Sequence, residues 1–239
     1  MPVYNESDSL PALVAEVNAQ ASALDCNHEI IVVDDGSSDA TPDLLVRLSK
    51  QFRQLVTLRS PRNEGQSMAI YRGVLAASAE WVLTLDGDGQ NVPADIALLL
   101  AALSEAEVPK RVGMVVGCRT ERNDSWIKRV SSRIANRIRR RLLHDGAADT
   151  GCGIKLIRRD LFMRFPKFDH MHRFLPALAI MHGAEVIPVP VHHRARTAGV
   201  SKYGILDRLG SGVLDLLGVM WLRHRALDRN ISAGRQQRK

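Results

Sequence analysis

Three cysteines in 239 residues, Cys26, Cys118 and Cys152, are too few and too scattered for a disulfide framework. No CxxC pair is present, so structural zinc is not expected, and a reducing compartment is the default. Aromatic residues make up only 5% of the chain, which leaves few stacking positions for nucleic-acid bases. No apolar run reaches the ~18 residues of a spanning helix, and no signal-peptide pattern opens the sequence. The expectation is a cytoplasmic protein, or one attached peripherally to the cytoplasmic face of a membrane. There is no internal repeat and no low-complexity linker.

What remains is an ordinary globular composition, 45% hydrophobic and 25% charged, long enough for a sizeable core. The net charge of +7 is unevenly spread. Residues 1–118 carry 8 Lys and Arg against 16 Asp and Glu, whereas 119–173 carry 15 against 6 and 174–239 carry 10 against 4. An acidic half suits a cation and a basic half suits something anionic, whether phosphate, acidic lipid or nucleic acid.

Short apolar runs at 29–33, 55–58, 81–85 and 112–117 read as buried strands, and helical patterns fill about 7–24, 41–53, 65–78 and 93–107. Ser7 or Ser9 suits the start of the first helix, and Asp39 or Thr41, followed by Pro42, the start of the second. Strands alternating with helices imply right-handed βαβ units and a mostly parallel sheet, with ligands beyond the carboxyl ends of the strands. Residues 126–143 read as a very basic helix. Residues 184–191 read as a strand that its prolines push to an edge, and 205–224 as a mostly apolar helix.

Two acidic clusters stand at predicted strand ends. Asp86-Gly87-Asp88-Gly89-Gln90 offers hard oxygen donors to Mg²⁺ or Mn²⁺, or it is a solvated turn. Asp34-Asp35-Gly36-Ser37 repeats the pattern, and adjacent carboxylates need a cation, donor groups or a ligand. Capping by Ser38 or Asp39 leaves these two acids unexplained. Arg119, Arg129, Arg133 and the loop Arg196 to Tyr203 supply cations suited to phosphate oxygens. His192 and His193 are adjacent, so on a strand they face opposite ways and make a poor metal pair.

Taken in order, Pro2-Val-Tyr4-Asn-Glu6, Val33-Asp34-Asp35-Gly-Ser, Asn63-Glu-Gly65, Asp86-Gly-Asp88-Gly-Gln90 and Gly117-Cys-Arg119 resemble the inverting, family-two nucleotide-sugar glycosyltransferases. Arg129-Val-Ser-Ser132-Arg133-Ile-Ala-Asn136, Asp149-Thr-Gly-Cys-Gly-Ile-Lys155 and Arg196-Thr-Ala-Gly-Val-Ser201-Lys202-Tyr203 continue the series, closest to the polyprenyl-phosphate, dolichol-phosphate mannose synthase-like branch.

The resemblance implies a GT-A fold: one mostly parallel sheet flanked by helices, with a C-terminal amphipathic helical appendage. It implies a catalytic domain over 1–204, followed by an amphipathic helix and basic tail over 205–239. Pro2, Tyr4, Glu6, Asp35 and Gly65 would border the nucleotide of a nucleotide-sugar donor. Asp86, Asp88 and Gln90 would hold Mg²⁺ or Mn²⁺ against its diphosphate. Arg119 and Arg129, with Ser132, would receive the acceptor phosphate, and Arg196, Ser201 and Lys202 would close over the donor. The implied acceptor is a polyprenyl phosphate, already ionised at neutral pH, so the reaction would rest on Asp88, Arg119 and Arg129 for leaving-group stabilisation and alignment. Relatives carry a hydrophobic first strand ahead of the Pro-Val-Tyr-Asn-Glu motif. A missing or truncated first strand is therefore expected here.

The helix at 205–224 carries Val213, Leu214, Leu216, Leu217, Val219, Met220, Trp221 and Leu222 among flanking arginines. It reads as an in-plane membrane anchor or as a helix packed on the sheet or on a second copy. A glycan or protein acceptor and a catalytically dead nucleotide-sugar scaffold are the alternative readings. Nucleic acid is not an expected partner, because the acidic half opposes it.

Overall fold

The computed structural model describes residues 1–24, 26–119, 143, 149, 151–195 and 205–225, with backbone alone for 205–211 and 213. Aliphatic, largely β-branched runs form the strands. Ile30–Asp34 is β2, flanked by the two-residue β1 (Pro2–Val3) and by β3 (Leu55–Arg59), all parallel. A second hydrogen-bonded group runs β4 (Trp81–Thr84), β6 (Lys155–Arg158), β5 (Val112–Arg119) and β7 (Glu185–Val191). Here β6 is antiparallel to both its neighbours and β7 is parallel to β5. The two groups adjoin at β1 and the end of β4, where a Cβ on Gly87 would come within 2.9 Å of the Pro2 carbonyl oxygen.

The expectation of a mostly parallel α/β sheet holds, since three of the five strand pairings among the described residues are parallel. The proline-bearing β7 lies at an edge as its composition requires. Strand β6 escaped the sequence reading because four residues with a Lys and an Arg give almost no periodic signal.

Helices cover both faces. On one side α1 (Leu10–Ala23), α2 (Thr41–Gln51) and α4 (Ile96–Ser104) bury Leu13, Leu45 and Leu99 against Val32, Val115 and Leu156. On the other, α3 (Gln66–Ala76), α5 (Arg159–Met163) and α6 (Leu175–Met181) bury Val74, Phe162 and Leu178 against Met114, Val116 and Ile157. Met114 and Val116 face one layer and Val115 the other, the period-two alternation of a strand buried on both faces.

Ser9 stands at the start of α1, but its hydroxyl serves the Gly87 carbonyl (2.9 Å) rather than the helix. At α2 the residue preceding Thr41 is Ala40 and no side chain caps the helix, unlike the Asp39 or Thr41 cap expected; Asp39 Oδ1 instead accepts from the Thr41 N–H (3.0 Å) in the turn that leads into Pro42. Helix α7 (Ile205–Arg225) docks through buried Val219, with Leu216 and Met220, on the second core. Its Leu214, Leu217 and Trp221 face outward, 71%, 55% and 62% exposed. Among the described residues no helix is long and apolar enough to cross a membrane.

Candidate active site

Strands β2, β4 and β5 all end on one side of the sheet, and their carboxyl ends carry the acidic and basic residues singled out above. At the end of β2, Asp34 and Asp35 are buried, 1% and 3% exposed. Asp34 Oδ1 accepts from the Ser37 N–H (2.9 Å), and its Oδ2 lies 3.4 Å from Arg59 Nε. Asp35 accepts from the Glu64 N–H at Oδ1 (3.0 Å) and from the Gly65 N–H at Oδ2 (2.8 Å). The chain at Gly65 adopts φ +91°, which glycine tolerates, and turns there into α3. The two acids are thus compensated by neighbouring amides and a guanidinium. Asp35 fastens the β2 end to the Gly65 turn, which brings those two predicted donor-binding residues together.

The β4 end carries Asp86, Asp88 and Gln90. Asn91 accepts from the Asp86 N–H through its side-chain oxygen (3.1 Å), and Asp88 Oδ1 accepts from the Gln90 N–H (3.1 Å), so a tight turn presents both carboxylates. Gln66 Nε2, one residue past Gly65, donates to Asp86 Oδ1 (2.8 Å) and joins the two loops. Gln90 donates through Nε2 to the Arg194 carbonyl (3.5 Å), so the group it offers a cation is its amide oxygen. Burial moves the Asp86 carboxyl upward from its ordinary pKa; Lys155 opposes this, Asp88 adds to it, and Arg119 and the N-terminus oppose it. A carboxylate pair that repels itself beside a hard-oxygen turn suits a divalent cation. Among the described residues no three His, Cys, Asp or Glu side chains converge, so any cation here would share its shell with the substrate.

Asp149 and residues 151–155 complete the floor. Arg119 at the end of β5 donates from Nε to Asp149 Oδ2 (2.5 Å) and from Nη2 to Asp149 Oδ1 (2.8 Å). Lys155 is buried among Asp86, Asp149 and Arg119; burial lowers its pKa and Asp86 raises it. Its ammonium donates to the Cys152 carbonyl. Gly153 lies so close to Asp86 that a Cβ there would overlap the carboxylate. Asp149, Lys155, Gln66 and Gly153 received no role from the sequence. The Asp-Thr-Gly-Cys-Gly-Ile-Lys run was the one available signal, and only its pairing with β4 and β5 gives it meaning.

Of the first motif, Pro2 lies on β1, and Tyr4 and Glu6 follow at its carboxyl end. The Glu6 N–H donates to Thr41 Oγ1 (3.0 Å), and Glu6 Oε2 lies 3.3 Å from Ser9 Oγ. Beneath the Gly65 turn, the Ser67 hydroxyl lies 2.8 Å from His172 Nδ1. Burial holds the His172 imidazole well below its ordinary pKa. His192 hydrogen-bonds Asp95 through Nδ1 (2.8 Å) and through its N–H (2.7 Å), pinning the end of β7. Arg129, Ser132, Arg196, Ser201 and Lys202, and the basic helix at 126–143 apart from Leu143, lie outside the described residues.

The glycosyl transferase family 2 pattern matches residues 1–165, which hold the residues at the carboxyl ends of β1, β2, β4 and β5. The chain belongs to this family. It is therefore a glycosyltransferase by family, and the acidic pair after β4 sits in that family's domain. Among solved structures it is similar to glucosyl-3-phosphoglycerate synthase from Mycobacterium tuberculosis in complex with Mn²⁺, uridine diphosphate and glucosyl-3-phosphoglycerate. That match has 19% identity and a TM-score of 0.68, covering 93% of this chain and 77% of the other. The same enzyme with Mg²⁺ and uridine diphosphate matches at 18% identity and TM-score 0.67, covering 93% and 76%. Mannosyl-3-phosphoglycerate synthase from Rubrobacter xylanophilus matches at 16% identity and TM-score 0.68, covering 93% and 72%. At these identities the likeness establishes the fold, and the GT-A architecture expected from the motifs is the one present.

Proposed function

We propose that the chain transfers a hexosyl group, with inversion, from a nucleotide sugar such as GDP-mannose or UDP-glucose to a polyprenyl phosphate. The observation that carries this reading is the placement of Asp86 and Asp88 at the end of β4, with Asp86 within electrostatic reach of Arg119 at the end of β5. One pole suits a cation and a leaving diphosphate, and the other suits an incoming phosphate.

Asp86, Asp88 and the Gln90 amide oxygen would hold Mg²⁺ or Mn²⁺, the ions that accompany uridine diphosphate in the similar synthase structures. A divalent cation bound there supplies charge neutralisation to the departing diphosphate. Pro2, Tyr4, Glu6, Asp35 and Gly65 border the nucleoside, with Asp35 acting by fixing the Gly65 turn. Arg119, joined by Arg129 and Ser132, aligns the acceptor phosphate, while Arg196, Ser201 and Lys202 close over the donor. An acceptor phosphate oxygen attacks the anomeric carbon and forms the new C–O bond. The old C–O bond breaks with its electrons going to the nucleoside diphosphate. The attacking oxygen is already anionic at neutral pH, so alignment and leaving-group stabilisation carry the rate.

The outward Leu214, Leu217 and Trp221 of α7, with Arg223, His224 and Arg225 in its last turn, support a lipid acceptor and peripheral attachment to a membrane surface. A second reading, a small phosphate acceptor, is favoured by the similar synthases, whose structures contain phosphoglycerate acceptors or products. Both acceptors are phosphate monoesters.

The test incubates the protein with Mn²⁺ and labelled GDP-mannose, UDP-glucose or UDP-N-acetylglucosamine, with undecaprenyl phosphate in one arm and 3-phosphoglycerate in the other. Label entering the organic phase, and lost in Asp88→Ala, is the expected result. Label only in the aqueous phosphoglycerate arm would replace the lipid acceptor with the small one. No transfer in either arm, with the donor bound, would overturn the phosphate-acceptor reading.

A further inference from the structure

Asp149 precedes β6, outside the strand-end motifs, and no role in donor, metal or acceptor binding follows from its position in the sequence. It is nonetheless buried, 7% exposed, and directed at Arg119. Its two oxygens take Nε and Nη2 of the Arg119 guanidinium at 2.5 and 2.8 Å, and Oδ2 also lies 3.4 Å from the Arg119 backbone N–H. Three contacts from one carboxylate fix both the main chain and the side-chain plane of that arginine. A guanidinium is a rigid planar fork, so holding Nε and one Nη2 hydrogen sets the direction of the others. Gly151 permits the approach: a Cβ there would stand 3.0 Å from Arg119 Nη2 and 3.5 Å from Asp149 Oδ1.

We propose that Asp149 is a positioning residue for acceptor phosphate binding, acting through Arg119. This rests on the reading of Arg119 as the acceptor cation. A long, flexible Arg alone would spend rotamer freedom on capturing a phosphate, and the buried carboxylate removes that cost beforehand. The adjoining residues 151–155 bring Gly153 against Asp86 and Lys155 between the two acids. They therefore couple the acceptor pole to the leaving-group pole across β6. Asp149 itself touches neither substrate; its effect is confined to the acceptor.

The experiment uses the full chain, Mn²⁺, whichever of the three labelled nucleotide sugars is transferred, and a water-soluble short-chain polyprenyl phosphate, with 3-phosphoglycerate run in parallel. Asp149→Asn keeps size and polarity but loses the charge and one acceptor geometry. Its acceptor KM is expected to rise about 10- to 100-fold, with the donor dissociation constant within about 2-fold of the parent. Asp149→Glu is expected to recover part of the loss. The Arg119→Ala/Asp149→Asn double variant is expected to match Arg119→Ala alone, because a residue acting only through Arg119 has nothing left to position. Thermal midpoints of all variants report folding separately. Equal losses of donor and acceptor binding in Asp149→Asn, or additive losses in the double variant, would overturn the proposal while leaving Arg119 as the acceptor cation. An Arg119→Ala variant with unchanged acceptor KM would overturn the reading of Arg119 itself, and the proposal with it.

Discussion

His170 Nδ1 lies 3.0 Å from Asp215 Oδ2, joining the segment after α5 to helix α7. His170 holds a left-handed backbone, φ +62°, and the preceding Asp169 reaches within 3.6 Å of where a Gly65 Cβ would stand. The C-terminal helix is thus tied to a segment that passes beside the Gly65 turn. Asp215→Ala is expected to cost about 1 kcal/mol, the scale of one partly buried hydrogen bond. Urea unfolding of this variant beside Asp169→Ala checks it. Asp169, 71% exposed at the side chain, should change stability far less.

Removing the acidic pair should be decisive for chemistry. Asp88→Ala and Asp86→Asn are expected to lower turnover at least about 100-fold, comparable to the loss of one transition-state stabilising group. A chelator should abolish activity in the parent, and added Mn²⁺ or Mg²⁺ should restore it. Radiolabel transfer measures both. Retained activity in chelator would refute cation dependence.

Gly36 is a sharper backbone test than any side chain in the site. Its φ is +75°, and a Cβ would stand 2.5 Å from the Arg62 carbonyl carbon and 2.8 Å from Arg62 Cα. Gly36→Ala therefore adds strain of about 1–3 kcal/mol to a collision with main chain that cannot rotate away. The expected outcome is a clearly lowered thermal midpoint by calorimetry, and weaker donor binding through the displaced 62–65 turn.

The three thiols should separate by environment. Burial pushes the Cys152 thiol up to about 11, so at pH 8 almost none is thiolate, whereas Cys26 is exposed. Reaction with a chromogenic disulfide at pH 8 should consume Cys26 first and leave Cys152 untouched until denaturant is added. Rapid native labelling of Cys152, read by peptide mass, would contradict its packing.

The outer face of α7 makes a prediction about location. Replacing Leu214, Leu217 and Trp221 by serine removes the exposed apolar row and leaves Val219 in its core position. Affinity for anionic vesicles, read by flotation, should fall at least about 100-fold, since each of the three apolar side chains contributes on the order of 1–3 kcal/mol when buried. Unchanged flotation would assign that face to another role.

Much of the fold was legible in the chain itself. Runs such as Ile30 to Val33 and Val112 to Val116 are too apolar to sit anywhere but inside, and the helical stretches between them dictate parallel crossovers. Asp86, Asp88 and Arg119 could be chosen as site residues because strand ends converge in such a sheet, whatever the details. Those properties are local, a matter of period and of residue type at a strand end. The tertiary structure alone decided the rest. It inserted β6 antiparallel between β4 and β5, which carried Asp149 to Arg119 and Gly153 to Asp86 across long stretches of chain. It turned the Asp35 carboxylate onto the Gly65 turn, and it aimed His170 at Asp215. Such pairings depend on strand order and register. Hydrophobic periodicity encodes the faces of an element, not the neighbours it will have, so no reading of spacing could have supplied them.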